Sequence, residues 1–397
     1  MPKDDINYKF TENGLVYDFY DVFVPAENFR QPTLFTWGWN NAGELGDNTT
    51  IARSTPVTTF AGGTNWKSVS MGGANTSSAA IKTDGTLWVW GAGGNGKLGT
   101  NNDADRSTPV TTFAGGNNWK QVSCGGQHTV AIKTDGTLWI WGRNYNTSNL
   151  GINRNSELSQ LTPITTFAGG TDWKSVSAGN NYTAAIKTDG TLWVWGGNTN
   201  GRLGTNDTNT KSTPVTTFAG GTNWKQVDCA SDHTVAIKTD GSLWTWGRNN
   251  DGKLGTNDAN TRTTPVTTFA GGNTWKQVDC GGNHTAAIKT DGSLWTWGAG
   301  GYSGEIGINA FANRSTPVTT FAGGTNWKQV SAGNNLTAAV KTDGTLWIWG
   351  LRNEGRLGTN SNQTRNFPVT TFAGGNNWKQ VFAGNGNTAA IQYQPDP

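Results

Sequence analysis

The sequence predicts an all-β fold, a seven-bladed β-propeller of four-stranded antiparallel blades whose ring is closed by N-terminal strands pairing with C-terminal strands. Three observations predict it. The dipeptide Trp-Gly recurs at Trp37, Trp90, Trp141, Trp195, Trp246, Trp297 and Trp349, at spacings of 53, 51, 54, 51, 51 and 52 residues, and a period near 50 belongs to arrays, solenoids or propellers. No copy carries a helical pattern. Between Trp173 and Phe218, four strand-length β-rich runs follow one another, at 174–177, 183–187, 192–195 and 214–218, each bounded by Gly, Asn or Asp. Four such runs in each of seven copies make seven blades. The third observation is the pair of partial copies at the ends. The first begins at Leu34-Phe-Thr-Trp37, the third strand of a blade, and the last stops at Thr388-Ala-Ala-Ile391, the second. Strands at Leu34 and Val57 should therefore complete the blade begun by residues 379–391, leaving no open sheet edge.

Composition fits a folded, loop-rich chain: of 397 residues 34% are hydrophobic and only 14% charged, with 56 Gly and 21 Trp. No single blade can bury its own faces, so the repeats make one cooperative unit. Residues 34–391 are thus one domain, with an arm at 1–33 and a short tail at 392–397. No stretch approaches the roughly 18 consecutive apolar residues of a membrane helix. The polar start Met1-Pro-Lys-Asp-Asp5, followed by no apolar core, predicts no Sec-type export. Cys124, Cys229 and Cys280 are too few and too evenly placed for a disulfide framework, which suits folding in a reducing compartment.

Within each copy the constant residues have physical roles. Thr-Asp-Gly, around Asp84, Asp135, Asp189, Asp240, Asp291 and Asp343, is a hairpin turn in which Asp caps and Gly takes positive φ. Strand alternation puts Trp193 and Trp195 on one sheet face and Leu192 and Val194 on the other, so both faces offer bulk to neighbouring blades. A repeated lysine before each Thr-Asp-Gly turn, such as Lys82 or Lys187, is expected in a solvated rim rather than in a clustered nucleic-acid face.

After each Trp-Gly comes Gly-x-Leu-Gly (Gly43 to Gly46, Gly96 to Gly99, Gly201 to Gly204, Gly252 to Gly255, Gly355 to Gly358), varied as Gly304-Glu-Ile-Gly307 and Ser148-Asn-Leu-Gly151. With the Pro that follows, a Val-x-x-Gly-x-x-His/Asn-Thr-Ala-Ala-Ile run and Asp-Gly, this resembles the repeat of the regulator of chromosome condensation family, seven-bladed propellers, across residues 34–391. The near-identical copies resemble versions of the repeat carried by bacteria and tailed phages. The resemblance implies the fold; members serve nucleotide exchange, enzyme inhibition and plain protein binding. Exchange activity, as the resemblance implies it, depends on a wedge inserted in one blade, and spacings of 51 to 54 leave no room for one.

Candidate chemistry is sparse. His128, His233 and His284 each stand four residues after a cysteine, but the cysteine position is Met71, Ala178, Ala332 or Ala383 elsewhere and the histidine position is Asn75, Tyr182, Leu336 or Asn387. Such substitution marks a small buried site on the innermost strand, whereas zinc needs converging ligands. The histidine ring is expected to satisfy a backbone group of a turn. No catalytic constellation, cofactor cradle or metal site stands out, and no enzymatic activity is expected.

Variation concentrates in the seven loops after Trp-Gly, at 39–55, 92–108, 143–162, 197–213, 248–264, 299–316 and 351–367, which should emerge on one side of the ring. They carry Trp39, Tyr145, Tyr302, Phe311 and Arg352, the candidate partner-binding residues of a recognition surface, unless the loops vary merely because nothing constrains them. The arm supplies a second candidate, with Tyr8, Phe10, Tyr17, Phe19, Tyr20, Phe23 and Phe29 among six acidic and three basic residues. It either caps its own propeller or docks on a partner subunit. The expected function is non-enzymatic protein binding and assembly: a decoration, tail or fibre-associated protein of a tailed-phage virion, folded in host cytoplasm. Its partners would be virion subunits or a host surface molecule, with no nucleic acid and no membrane insertion. The alternative is a bacterial surface or secreted binding or inhibitor propeller.

Overall fold

The computed structural model describes residues 9–12, 15–18, 32–72, 77–144, 148–153 and 159–393. From Pro32 to Tyr393 the chain closes into seven four-stranded antiparallel sheets. The blade of the third complete copy runs Trp173–Ala178, Tyr182–Lys187, Leu192–Gly196 and Lys211–Thr216, from the innermost strand to the outermost. Its last strand lies a few residues upstream of the expected 214–218, because the chain leaves the sheet before Phe218, whose N–H donates to the Gly204 carbonyl at 2.8 Å. Every outermost strand carries Pro at its fourth position, Pro56 in Arg53–Thr58 for example, and so denies a ladder donor to any strand approaching the exposed edge.

Closure is as the partial copies require. Trp378–Ala383 and Asn387–Tyr393 share a sheet with Pro32–Gly38 and Arg53–Thr58, and seven residue pairs, from Pro32↔Tyr393 to Gly38↔Asn387, hold the two chain ends together. The first strand starts at Pro32, two residues before Leu34.

Blades pack face to face, and the alternation of each third strand decides what meets what. Leu192 and Val194 lie against Trp224 and Trp246 of the next blade, while Trp173 and Trp195 lie against Val130, Ile132 and Ile140 of the previous one. Within a blade the three indoles pack edge to face, Trp173 with Trp193 at 6.3 Å and with Trp195 at 6.2 Å between centroids. The Thr-Asp-Gly hairpins knit to this layer through side chains. Asp84 Oδ1 accepts from the Thr86 N–H and hydroxyl, and Thr86 Oγ1 accepts from Trp88 Nε1 at 2.9 Å. Gly85, at φ +83°, lies so close to the next crossover that a Cβ would sit 2.0 Å from the Asn117 carbonyl oxygen. The rim lysines are not simply solvated: Lys82 Nζ lies 4.9 Å and 4.5 Å from the Trp66 and Trp88 rings, a cation–π seat repeated around the ring.

No helix among the described residues is long and apolar enough to cross a membrane. In the arm, Lys9–Glu12 pairs with Leu15–Asp18 as a two-stranded antiparallel unit.

Candidate functional site

Gly-x-Leu-Gly acts as a latch between blades. The carbonyl of its variable residue accepts two bonds from the next blade: Lys97 O from Trp141 Nε1 at 2.8 Å and from Thr129 Oγ1 at 2.9 Å, and Arg202 O from Trp246 Nε1 at 2.9 Å and from Thr234 Oγ1 at 2.7 Å. The copy that departs from the motif, Ser148-Asn149, keeps the threonine bond from Thr183, and Trp195 Nε1 is buried without a partner among the described residues. Ser148 there adopts φ +50° at a position where the other copies use Gly. The basic variable side chains are buried and reach toward the next blade's inner turn, as with Arg202 Nη1 to Ser231 O, Lys253 Nζ to Asn283 Oδ1 and Arg356 Nη1 to Asn385 O. Burial raises the carboxyls of Glu44 and Glu305 at this position.

The inner strands enclose a central channel with a chamber of about 400 Å³. One repeat position lines it all the way around: Ser70, Ser123, Ser177, Asp228, Asp279, Ser331 and, in the closing blade, Phe382. Six of these accept the backbone N–H of the next blade, among them Ser70 from Cys124 at 2.9 Å, Asp228 from Cys280 at 2.7 Å and Asp279 from Ala332 at 2.9 Å. Phe382 has no group with which to do so. Asp228 also accepts from Ser177 Oγ at 2.9 Å. Enclosure by the inner strands pushes the Asp228 carboxyl up to about 6 and raises that of Asp279, which faces the Asp228 charge as well.

The cysteines occupy the small inner position expected of them, as free thiols lining the channel. Burial pushes the Cys124 thiol up to about 11 and raises those of Cys229 and Cys280. The histidines differ from expectation. Nε2 of His128 meets Thr183 Oγ1 of the next blade at 2.7 Å, and His233 and His284 repeat the contact at 3.1 and 2.7 Å, so the ring bonds a side chain across the blade interface rather than a turn backbone. Among the described residues, Nδ1 of all three is buried without a partner. Burial drives His128 and His284 down to about 3. Among the described residues no group of three or more His, Cys, Asp or Glu side chains comes together around one point.

On the loop side, Tyr302 is 85% and Phe311 54% exposed, both in loop 299–316, whose two ends are tied where Asn313 Oδ1 accepts from the N–H groups of Gly300 and Gly301. Arg352, in the adjacent loop, is exposed and donates to Asn362 O at 2.9 Å. Trp39 stands apart: it is half-buried, and its backbone N–H donates to Gly386 O at 2.8 Å, so it packs on the seam of the closing blade. Tyr145 lies outside the described residues, as do the side chains of Tyr8, Phe10, Tyr17, Phe19, Tyr20, Phe23 and Phe29. Sequence reasoning missed Ile51, 63% exposed on the same loop side and the lone bulky aliphatic residue of its loop tip. It also missed the Ser-to-Asp change at Asp228 and Asp279, legible by aligning the copies.

A family model described as the RCC1-like domain matches residues 30–302 and 172–395. The Arabidopsis thaliana ultraviolet-B receptor UVR8 is 32% identical over 84% of this chain and 76% of its own length. The mitochondrial RCC1 domain-containing protein RUG3 of the same plant is 27% identical over 70% and 64%, and human HERC2, an E3 ubiquitin-protein ligase, is 27% identical over 82% of this chain but 7% of its own. Among solved structures, Prp20p of Saccharomyces cerevisiae superposes with a TM-score of 0.80 at 18% identity, covering 92% of each chain, and human WBSCR16 with 0.79 at 19%, covering 91% and 99%. These two likenesses show the fold. With the family model spanning the whole ring, the chain belongs to the RCC1-like propeller family.

Proposed function

We propose that this chain is a non-enzymatic binding and assembly propeller, and within that class a decoration, tail or fibre-associated component of a tailed-phage virion, folded in the host cytoplasm. One observation carries the binding reading. Polar groups of the inner strands and loop bases such as Ser70, Asp228 and Arg202 are engaged in blade-to-blade hydrogen bonds, whereas Ile51, Tyr302, Phe311 and Arg352 stand exposed on one loop side of the ring. Rigid presentation of exposed aromatic and arginine side chains is what protein recognition uses. The relatives lean the same way, since the published Prp20p structures concern its binding to Gsp1p, histones and Kap60. The virion reading rests on a surface rich in Asn, Thr and Gly and poor in charge, together with near-identical tandem copies. The arm is the docking element, engaging a neighbouring subunit. Mass spectrometry of purified particles tests the assignment: this chain should be present at a fixed copy number per particle. Its absence from particles, with recovery on the bacterial surface or in the medium, would favour the surface or secreted propeller instead.

A further inference from the structure

The ring end opposite the long loops carries a repeated basic surface, and the outer flank beside it, where the crossovers leave each outermost strand, a repeated aromatic one. Antiparallel topology gathers there the Thr-Asp-Gly turns and the crossovers from each outermost strand to the next innermost one, as the bonds Trp119 N to Gly85 O and Thr134 N to Asn118 O show. Each crossover opens with a phenylalanine, from Phe60 to Phe372, and all seven are between 62% and 66% exposed. They are anchored, because each backbone N–H donates to the last Gly of a Gly-x-Leu-Gly loop, Phe113 to Gly99 at 2.8 Å for instance. Each phenyl ring exposes roughly 100 to 150 Å², one per blade around the propeller, so an occupant covers a few of them at a time.

One junction shows how a visiting aromatic side chain would seat. Phe321 packs edge to face on Phe367 of the next blade's outermost strand, 6.1 Å between centroids. At the six other junctions the residue corresponding to Phe367 is threonine, Thr108 opposite Phe60 and Thr264 opposite Phe218 for example, and among the described residues the phenylalanines there have no ring partner. Charge is just as one-sided. The thirteen lysines at the Trp-Lys and Lys-Thr-Asp-Gly positions face seven aspartates in these turns and crossovers, a surplus of six that equals the whole excess of residues 34–397. Lysines that recur evenly along the sequence are thus gathered on one face by the fold.

The arm matches this face in both respects, with seven aromatic residues and six acidic against three basic ones in residues 1–33. It also joins the ring here, since Pro32↔Tyr393 stands where other blades have their Thr-Asp-Gly turn. We propose that this phenylalanine–lysine face is an intersubunit docking surface whose occupant is the arm, residues 1–30, of a second copy of this chain. The proposal rests on the reading that the arm docks on a neighbour.

The test mixes full-length protein of natural and heavy isotopic composition and treats it with a zero-length carboxyl–amine crosslinker. Mixed-isotope links from Asp4, Glu12, Asp18 or Asp21 to lysines such as Lys67 and Lys120 are expected. Mixed-isotope links that land elsewhere on the ring would overturn the face while leaving a docking arm; links within single copies alone would overturn docking between copies. Replacing Phe113, Phe218 and Phe321 by Ser, at exposed sites, should weaken self-association measured by sedimentation at least tenfold with the melting temperature unchanged. Undiminished association of that variant, or a face that retains an oligonucleotide and no arm, would refute the proposal.

Discussion

Asp228 and Asp279 stand where four other copies of the repeat have Ser, and replacing both by Ser should reverse sign in its effect on stability as pH rises. In the folded ring the Asp228 carboxyl titrates near 6, against an unfolded value of about 3.9. A raised carboxyl pKa means that the folded state holds its proton more tightly. Its favourable contribution is present below the unfolded value and is lost as pH climbs through the folded one. About two units correspond to roughly 3 kcal/mol. The raised Asp279 carboxyl extends the loss to higher pH. The facing titratable groups are the Cys229 and Cys280 thiols, which burial holds neutral, and Lys225 is the cation at the chamber's edge. Serine keeps the acceptor for the next blade's N–H, as Ser70 and Ser177 do at 2.9 and 3.0 Å. It forfeits the Ser177-to-Asp228 bond, about 1 kcal/mol. The double variant should therefore melt slightly below the parent at pH 4.5 and a few degrees above it at pH 8, by differential scanning calorimetry across buffers of matched ionic strength. The buried histidines are common to both proteins and cancel in the difference. A parent-minus-variant difference that is flat from pH 4.5 to 8 would falsify the carboxylate account.

The histidines predict the opposite slope: held near 3 by burial, His128 and His284 favour folding above about 6.5 and withdraw that support as pH falls, so replacing all three histidines by Leu, as at Leu336, should move the acid-unfolding midpoint downward. An unmoved midpoint by circular dichroism would show that other groups govern acid unfolding. Replacing Cys124, Cys229 and Cys280 by Ala should cost about 1 kcal/mol or less per site, since three copies already use Ala there; a loss of folding, or stoichiometric zinc in elemental analysis of the parent, would contradict it. Deleting residues 34–60 removes two strands of the closing blade and should abolish the cooperative melt, whereas truncation at residue 30 should leave it intact. In hydrogen exchange, the seam between Val381 and Val69 should open before the other blade interfaces.

Most of the ring is legible in the sequence because a near-identical repeat averages out local ambiguity. The Asp-Gly turns, the three tryptophans and the partial end copies each require the same architecture. What escaped depends on geometry between blades. The histidine's partner is Thr183, 55 residues away, and nothing in a single copy says that the side chain points at a neighbour. The surface of phenylalanines and lysines escaped for a related reason: residues spaced a full repeat apart look uniform along the chain, and the antiparallel order of the strands in each blade turns that uniformity into one-sidedness. Among the loop candidates, Tyr302, Phe311 and Arg352 are exposed as a recognition surface requires, while Trp39 turned inward because its loop abuts the closing seam.

That seam is where the repeat departs from itself most. Phe35 replaces a tryptophan and packs edge to face on Trp378 at 5.5 Å; Phe382 replaces the channel hydroxyl. Gln121, Gln226, Gln277 and Gln329 each donate to a backbone carbonyl of the next blade, at 2.7 to 3.0 Å, and each accepts a valine N–H there through Oε1, whereas Gln380 Oε1 is buried without a partner among the described residues. The closing blade therefore gives up polar bonds to its neighbour and retains apolar contacts, with Phe382 and Met71 packed against Leu34, Trp66 and Ile391. Apolar contacts tolerate small shifts that hydrogen bonds do not. A ring of blades must absorb its accumulated error of fit at one joint, and the joint made last, from two chain ends, is the one where tolerance matters more than fixed geometry.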